Sequence, residues 1–108
     1  MDGNLDERLH KTVLLVDADL LVRWSFEKAF SIPEISFFSA STGEEALNIL
    51  NIEDIDCIIT DFCLPDYDGL ELLHLAIQIQ PGLNLALMTS FDSKPIRLEA
   101  EALGSIIL

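Results

Sequence analysis

Apolar positions in this chain fall into short unbroken runs and longer runs spaced at three and four residues, and the two kinds alternate from end to end. Thr12-Val13-Leu14-Leu15-Val16 is rich in β-formers and free of charge, which predicts a strand buried on both faces of a parallel sheet. Over 19–31 the spacing turns helical, with Val22, Phe26, Ala29 and Phe30 on one side. Asp19 suits the N-cap of that helix and Pro33 closes it. A second strand is expected at 35–39. Thr42-Gly43-Glu44-Glu45 has the form of a capping box, threonine with glutamate three residues on, opening a helix through Leu50. Residues 56–60, with Cys57-Ile58-Ile59 inside, predict a third strand, and 61–69, holding Pro65 and Gly69, a loop. A helix over 70–80 is stopped by Pro81-Gly82. A fourth strand follows at 83–88. Residues 94–103 predict a helix with Pro95 suited to its first position and Gly104 as its stop, and 105–108 a fifth strand.

This alternation argues for an α/β domain, a parallel sheet with helices on both faces. No internal repeat, low-complexity stretch or linker interrupts it. In such sheets ligands bind outside the carboxyl ends of the strands, at the switch point. Asp17, Asp61 and Thr89 each stand just past a predicted strand, so three distant parts of the sequence meet on one edge.

Charge narrows the possible partners. Six Lys+Arg against 19 Asp+Glu leave a net −13 over 108 residues, which argues against direct nucleic-acid binding and against anionic membrane surfaces. With 50% hydrophobic residues the chain is no disordered acidic tail. No apolar run approaches the ~20 residues of a membrane span, and the acidic start lacks a signal peptide's apolar stretch. A cytoplasmic location is therefore expected, with Cys57 and Cys63 as reduced thiols. The acid is gathered: Asp17 and Asp19 follow one apolar run, and Asp56, Asp61, Asp66 and Asp68 surround another.

Carboxylates sharing a cleft repel, and a hard cation such as Mg2+, which prefers oxygen ligands and keeps several waters, relieves them. A carboxylate there can also act as a nucleophile toward phosphorus, with a hydroxyl such as that of Thr89 offsetting the charge of the product. The plainer role for Asp17 and Asp19 is helix capping, which is preferred for Asp19. For Asp61, aimed at the switch-point cleft, the functional role is preferred.

Three blocks together carry a resemblance: Val13-Leu14-Leu15-Val16-Asp17, Asp61-Phe62-Cys63-Leu64-Pro65-Asp66-Tyr67-Asp68-Gly69, and Leu87-Met88-Thr89-Ser90. They resemble the receiver domain of bacterial two-component response regulators. Ser41-Thr42-Gly43-Glu44-Glu45-Ala46-Leu47 matches a segment common in that family, and residues 23–30, beginning Arg23-Trp24, are similar to the first helix of its nitrogen-regulator branch. The resemblance covers residue 11 onward, leaving 1–10 as an N-terminal extension and 11–108 as the receiver. It implies a flavodoxin-like, doubly wound parallel five-stranded sheet in the order 2-1-3-4-5. It further implies that Asp61 accepts a phosphoryl group from a histidine-kinase phosphohistidine. Asp17, Asp61 and the backbone carbonyl of Cys63 would hold Mg2+, and Thr89 would bind the phosphoryl oxygen and draw its loop inward. Ala18, Cys63 and Ser90 would tune the site. The implied partners are a sensor histidine kinase and an output domain or downstream protein, with a homodimer admitted. No nucleic acid or membrane is contacted by this domain itself, and it acts as a switch rather than a turnover enzyme.

Two departures from the family pattern stand out. The family places two adjacent acids after the first strand, where this chain has Asp17-Ala18; Ala18 cannot coordinate, and Asp19 should point elsewhere, so weakened Mg2+ binding is expected. The family also carries a Lys-Pro after the fifth strand, which would fall beyond Leu108; Lys94-Pro95 precedes a helix instead and is no substitute. The chain thus reads as an incomplete receiver with its last helix missing, exposing apolar surface at Ile106-Ile107-Leu108. Two rivals follow. One is a pseudo-receiver that binds partners without phosphate. The other is a haloacid-dehalogenase-like phosphatase using Asp17 as nucleophile and Asp19 as general acid, which leaves 61–69 unexplained. Leu108 falls near the family's switch aromatic. His74 is expected at the surface or partly buried, His10 in solvent, and Trp24 in packing. Nothing basic near Cys63 in sequence would activate its thiol.

Overall fold

The charge-free run at the start of the sheet does form a strand, and the alternation after it holds throughout. The computed structural model describes residues 9–90 and 93–108, so most of the expected extension 1–10 lies outside the described residues. Among the described residues five strands, β1 (Lys11–Val16), β2 (Ile35–Ala40), β3 (Cys57–Asp61), β4 (Asn84–Met88) and β5 (Ser105–Ile107), alternate with four helices, α1 (Leu20–Ala29), α2 (Gly43–Leu50), α3 (Gly69–Ile79) and α4 (Lys94–Leu103). All strand pairs are parallel, in the order β2-β1-β3-β4-β5. This is the flavodoxin-like order expected, and no helix follows β5 among the described residues. Between β1 and β3 the winding reverses, and the carboxyl ends of those two strands open the crevice in which such sheets place their chemistry.

Side chains alternate across the sheet. Leu14, Val16, Ile58, Leu85 and Leu87 face α2, α3 and α4, which bring Leu50, Leu72, Leu73, Ala76 and Ala100 into one core. Val13, Leu15, Ile59 and Ala86 face the other way, toward Phe26 of α1, Phe30 at its C-cap and Phe37 of β2. The rings of Phe30 and Phe37 lie 5.8 Å apart. With one helix on that face and three on the other, α1 has no fully buried residue. Ala29, expected on its packed side, is exposed. Ile106, opposite Ala86, and Leu108 are also exposed, whereas Ile107 turns into the larger core.

The caps correct the sequence reading in detail. Thr42 does cap α2, its side chain accepting from Glu45 N at 3.1 Å. The reciprocal half of the box is absent, because the Glu45 carboxylate accepts from Ser41 N and Ser41 Oγ instead. The full box belongs to α3, where Asp68 and Glu71 each accept from the other's backbone N–H. Ser93 caps α4, so Pro95 occupies the second helical position rather than the first, and Gly104 ends the helix at φ 83° as expected. Trp24 is exposed rather than packed, with Lys28 Nζ 5.0 Å from its ring centre. His10 is half-buried, with Nε2 2.7 Å from Ser36 Oγ, rather than solvent-facing. His74 is exposed, as allowed.

One side chain fastens the amino-terminal end of the sheet. Gln80 Nε2 donates to Leu50 O and Glu53 O at 2.7 Å each, and its Oε1 accepts from Ile55 N at 2.9 Å. Removing it strands three backbone groups that no regular element satisfies. Gln80→Ala is expected to destabilise the protein by about 2 kcal/mol, read as a lower midpoint of urea unfolding with an unchanged slope.

Candidate functional site

β3 runs one residue further than expected. Asp61 is its last residue, opposite Met88, rather than the first of the loop. The buried Thr60 hydroxyl donates to Asp61 O at 3.0 Å, and Phe62 N donates to Met88 O at 2.8 Å, so the end of the strand is held on both sides. Asp17 follows β1 directly, its N–H donating to Ala40 O at 3.0 Å. At 7% exposure it is the one buried carboxylate among the described residues. Its Oδ1 accepts from Asp19 N at 2.8 Å, and Arg23 Nη1 donates to its carbonyl at 2.8 Å. Sequence reasoning missed this second contact. An arginine six residues after Asp17 carries no local signal, and only the approach of α1 to β1 reveals it.

Asp17 and Asp61 line one open cavity of about 440 Å³ together with Val22, Phe26, Met88, Thr89, Ser90 and Leu108. The convergence of Asp17, Asp61 and Thr89 expected from the strand ends is therefore present. Its apolar walls were not foreseen. Asp19 and Ala18 are not part of the lining. Asp19 caps α1, its Oδ1 accepting from Leu21 N at 2.9 Å, which is the role preferred for it. The wider acidic cluster disperses. Asp56 accepts from Thr12 N at 2.8 Å at the opposite end of the sheet, Asp68 caps α3, and Asp66 accepts from the first N–H groups of α2. Cys63 is exposed and bridges to Asp68.

Burial and then the Asp17 charge push the Asp61 carboxyl above its ordinary 3.8, while the N–H groups of Phe62 and Cys63 pull it back. The sign of the linkage follows. Below pH 3.8 the carboxyl is protonated in folded and unfolded chains alike. As pH rises past that value the unfolded chain ionises first, so stability falls until the folded carboxyl has ionised too. Asp61→Asn removes this cost and is expected to raise Tm at neutral pH. The gain should vanish in melts taken below pH 3.8.

Among the described residues no three His, Cys, Asp or Glu side chains gather into a metal centre. The donor set is nevertheless chemically suited to Mg2+. It offers two mutually repelling carboxylates at the open mouth of a largely apolar cavity, where a cation that keeps several waters can sit.

The sequence model of the response regulator receiver domain matches residues 13–106. The chain belongs to that family. The receiver is 26% identical over 98 residues to sporulation initiation phosphotransferase F of Bacillus subtilis, covering 91% of this chain and 79% of that one. It is 30% identical over 91 residues to the DNA-binding transcriptional regulator NtrC of Klebsiella pneumoniae, covering 84% of this chain but 19% of the regulator; the chain spans about a fifth of that relative. Among solved structures, the CheY-like response regulator receiver domain protein of Methanospirillum hungatei superposes with a TM-score of 0.83 at 26% identity, covering 91% of this chain and 81% of that one. Receiver domains are signalling switches rather than turnover enzymes, and they work with histidine kinases and output domains. No helix among the described residues is long and apolar enough to cross a membrane.

Proposed function

We propose that this receiver takes a phosphoryl group onto Asp61 from the phosphohistidine of a sensor histidine kinase and, in the phosphorylated state, alters its fit to an output domain or downstream protein. The observation that carries this reading is the shared cavity. A strand-end carboxylate, raised by burial and by a second carboxylate, faces open space beside a threonine in a receiver fold. In the transfer, an Asp61 carboxylate oxygen attacks phosphorus, the phosphorus–nitrogen bond to the histidine breaks, and the departing imidazole nitrogen keeps the electron pair and takes up a proton.

Each residue then has a role it is placed to perform. Asp17, fixed through its Oδ1 by Asp19 N and through its carbonyl by Arg23, keeps its second carboxylate oxygen for a cation. Receiver domains bind Mg2+ at the phosphorylation site; here Asp17, Asp61 and the Cys63 carbonyl would hold it, with affinity weakened by Ala18. When bound, the ion supplies positive charge against the repulsion of the two carboxylates and the incoming phosphoryl oxygens. Thr89, half-buried on the rim, would offer a hydroxyl to a phosphoryl oxygen; Ser90 lines the same cavity, and Cys63, exposed two residues beyond Asp61, would tune access to it. In a longer protein, any nucleic-acid contact would belong to a further domain.

The test is acetyl phosphate with Mg2+ followed by intact-mass and peptide mass spectrometry. The expected result is one phosphoryl group per chain, on Asp61 and absent in Asp61→Asn. Complete failure of wild type to label overturns the reading. It would favour a second one, an interaction module that binds partners without phosphate, whose support is the methyl group of Ala18 where the family has an acid.

A further inference from the structure

The loop joining β3 to α3 is closed on itself in steps. At its base Gly69 N donates to Phe62 O at 2.6 Å. Above that, Cys63 and Asp68 form an antiparallel bridge, and Leu64 N donates to Tyr67 O at 3.2 Å. Only Pro65 and Asp66 remain at the tip. A hairpin-like loop of this kind transmits displacement along its length better than an open one, because its two arms are cross-linked.

The tip does not stand free. Asp66 Oδ1 accepts from Gly43 N and Oδ2 from Glu44 N, at 2.9 Å each, so one carboxylate spans the first two N–H groups of a helix more than twenty residues earlier in the chain. Beside it, the Tyr67 ring occupies the place where a Cβ on residue 43 would lie, and only glycine there admits so close an approach. Thr42 already caps α2 in the local manner. Asp66 is therefore not needed to start the helix. Its two bonds join elements that are otherwise separate in sequence. Desolvation acts to raise the Asp66 carboxyl and is outweighed by the bonds from Glu44 and Gly43 and from its own and Tyr67's N–H, which hold it below the ordinary range despite the nearby acids Glu44 and Glu45.

At the other end of the loop, Phe62 N donates to Met88 O at 2.8 Å and the Thr60 hydroxyl donates to Asp61 O at 3.0 Å, fixing the backbone at Asp61 where the loop begins. A continuous chain of short contacts thus runs from Asp61 through the cross-linked arms to Asp66 and on to the first turn of α2. We propose that Asp66 is a positioning residue that couples the β3–α3 loop to α2, so that loop and helix start move as one body and a change of state at Asp61 is delivered to α2. The tie itself stands on the hydrogen bonds; its trigger rests on the phosphoacceptor reading above.

Backbone amide exchange and chemical shifts of the full chain test both parts. In Asp66→Ala, exchange at Gly43 and Glu44 is expected to accelerate at least tenfold, and exchange at Leu64 and Gly69, which Asp66 does not touch, to accelerate with it. Asp66→Asn keeps one acceptor oxygen and should fall between the two, retaining protection at Leu64 and Gly69. If Asp66→Ala frees only Gly43 and Glu44, Asp66 is a local cap and the coupling is overturned. In the second arm, Mg2+ with beryllofluoride is added. Wild type should shift amides in 62–69 and at Gly43 and Glu44, whereas Asp66→Ala should shift the loop alone. A wild-type response confined to the loop overturns delivery to α2. No response anywhere in wild type overturns the phosphoacceptor reading and the trigger with it, while the tie is decided by the first arm.

Discussion

A single methyl group added at Gly69 is expected to destabilise the receiver by about 3 kcal/mol and to displace Asp61 at the same time. A Cβ at this position would lie 2.5 Å from Asp61 O, 2.8 Å from Leu87 Cδ1 and 2.9 Å from Phe62 Cα. Two of those three atoms are backbone and the third belongs to a fully buried leucine, so no flexible side-chain end can swing aside. Nor can the helix retreat easily. Its start is pinned by the Asp68–Glu71 capping box and by the 2.6 Å bond from Gly69 N to Phe62 O. The strain must be relieved by moving the end of β3 away from α3, which carries Asp61 with it. Thermal unfolding of Gly69→Ala should show Tm lower by roughly 15 °C, at about 4–8 °C per kcal/mol for a domain of this size. Acetyl phosphate labelling of the variant below its Tm should fall well under wild type. Gly82→Ala is the control, since a Cβ there meets nothing within 4 Å. A Gly69→Ala melt indistinguishable from that control would refute the packing argument.

The same glycine shows where sequence reading reaches and where it stops. Gly69 was legible as a loop residue before a helix, and Asp61 as a polar residue at a strand end. That the two touch is a tertiary fact. That the sheet is parallel and covered on both faces was legible because β1 and β3 carry no charge between their ends; its order came from the family resemblance, not from the pattern. The convergence of Asp17, Asp61 and Thr89 followed, since a parallel sheet puts all carboxyl ends on one side. The acidic cluster around β3 was misjudged for the opposite reason. Proximity in sequence to an apolar run does not say which end of the strand a residue occupies, and Asp56 binds Thr12 N at the far end. The capping box at Thr42 was half right because Ser41, one residue earlier, draws off the Glu45 carboxylate. Asp66, more than twenty residues away, takes the neighbouring N–H groups of Gly43 and Glu44, a contact that local pattern cannot register because it arrives through the fold. Trp24 looked like core by residue type, but with one helix on its face of the sheet the side chain has nothing to pack beneath and stacks with Lys28 at the surface.

Ala18→Asp is expected to tighten Mg2+ binding at least tenfold, a gain of about 1.4 kcal/mol, and to speed labelling by acetyl phosphate. In the native chain the site holds two mutually repelling carboxylates, of which Asp61 is raised by burial and by Asp17, and no third acid completes a metal centre among the described residues. Ala18 is exposed between the buried Asp17 and the helix cap Asp19, so a longer side chain can be accepted there without disturbing the core. The effect of a third carboxylate has opposite signs with and without the ion. Without Mg2+ it adds like charge to a partly desolvated cleft, and the variant should melt a few degrees below wild type. With Mg2+ the added ligand turns that repulsion into attraction, and stabilisation grows with the logarithm of ion concentration over Kd. The decisive measurement is a Mg2+ titration of Tm for Ala18→Asp, Ala18→Asn and wild type at constant ionic strength. Ala18→Asn adds bulk without charge and should track wild type. If Ala18→Asp gains no more from Mg2+ than Ala18→Asn does, the carboxylate at position 18 is not within reach of the ion, and the weakened affinity proposed for this receiver needs another cause.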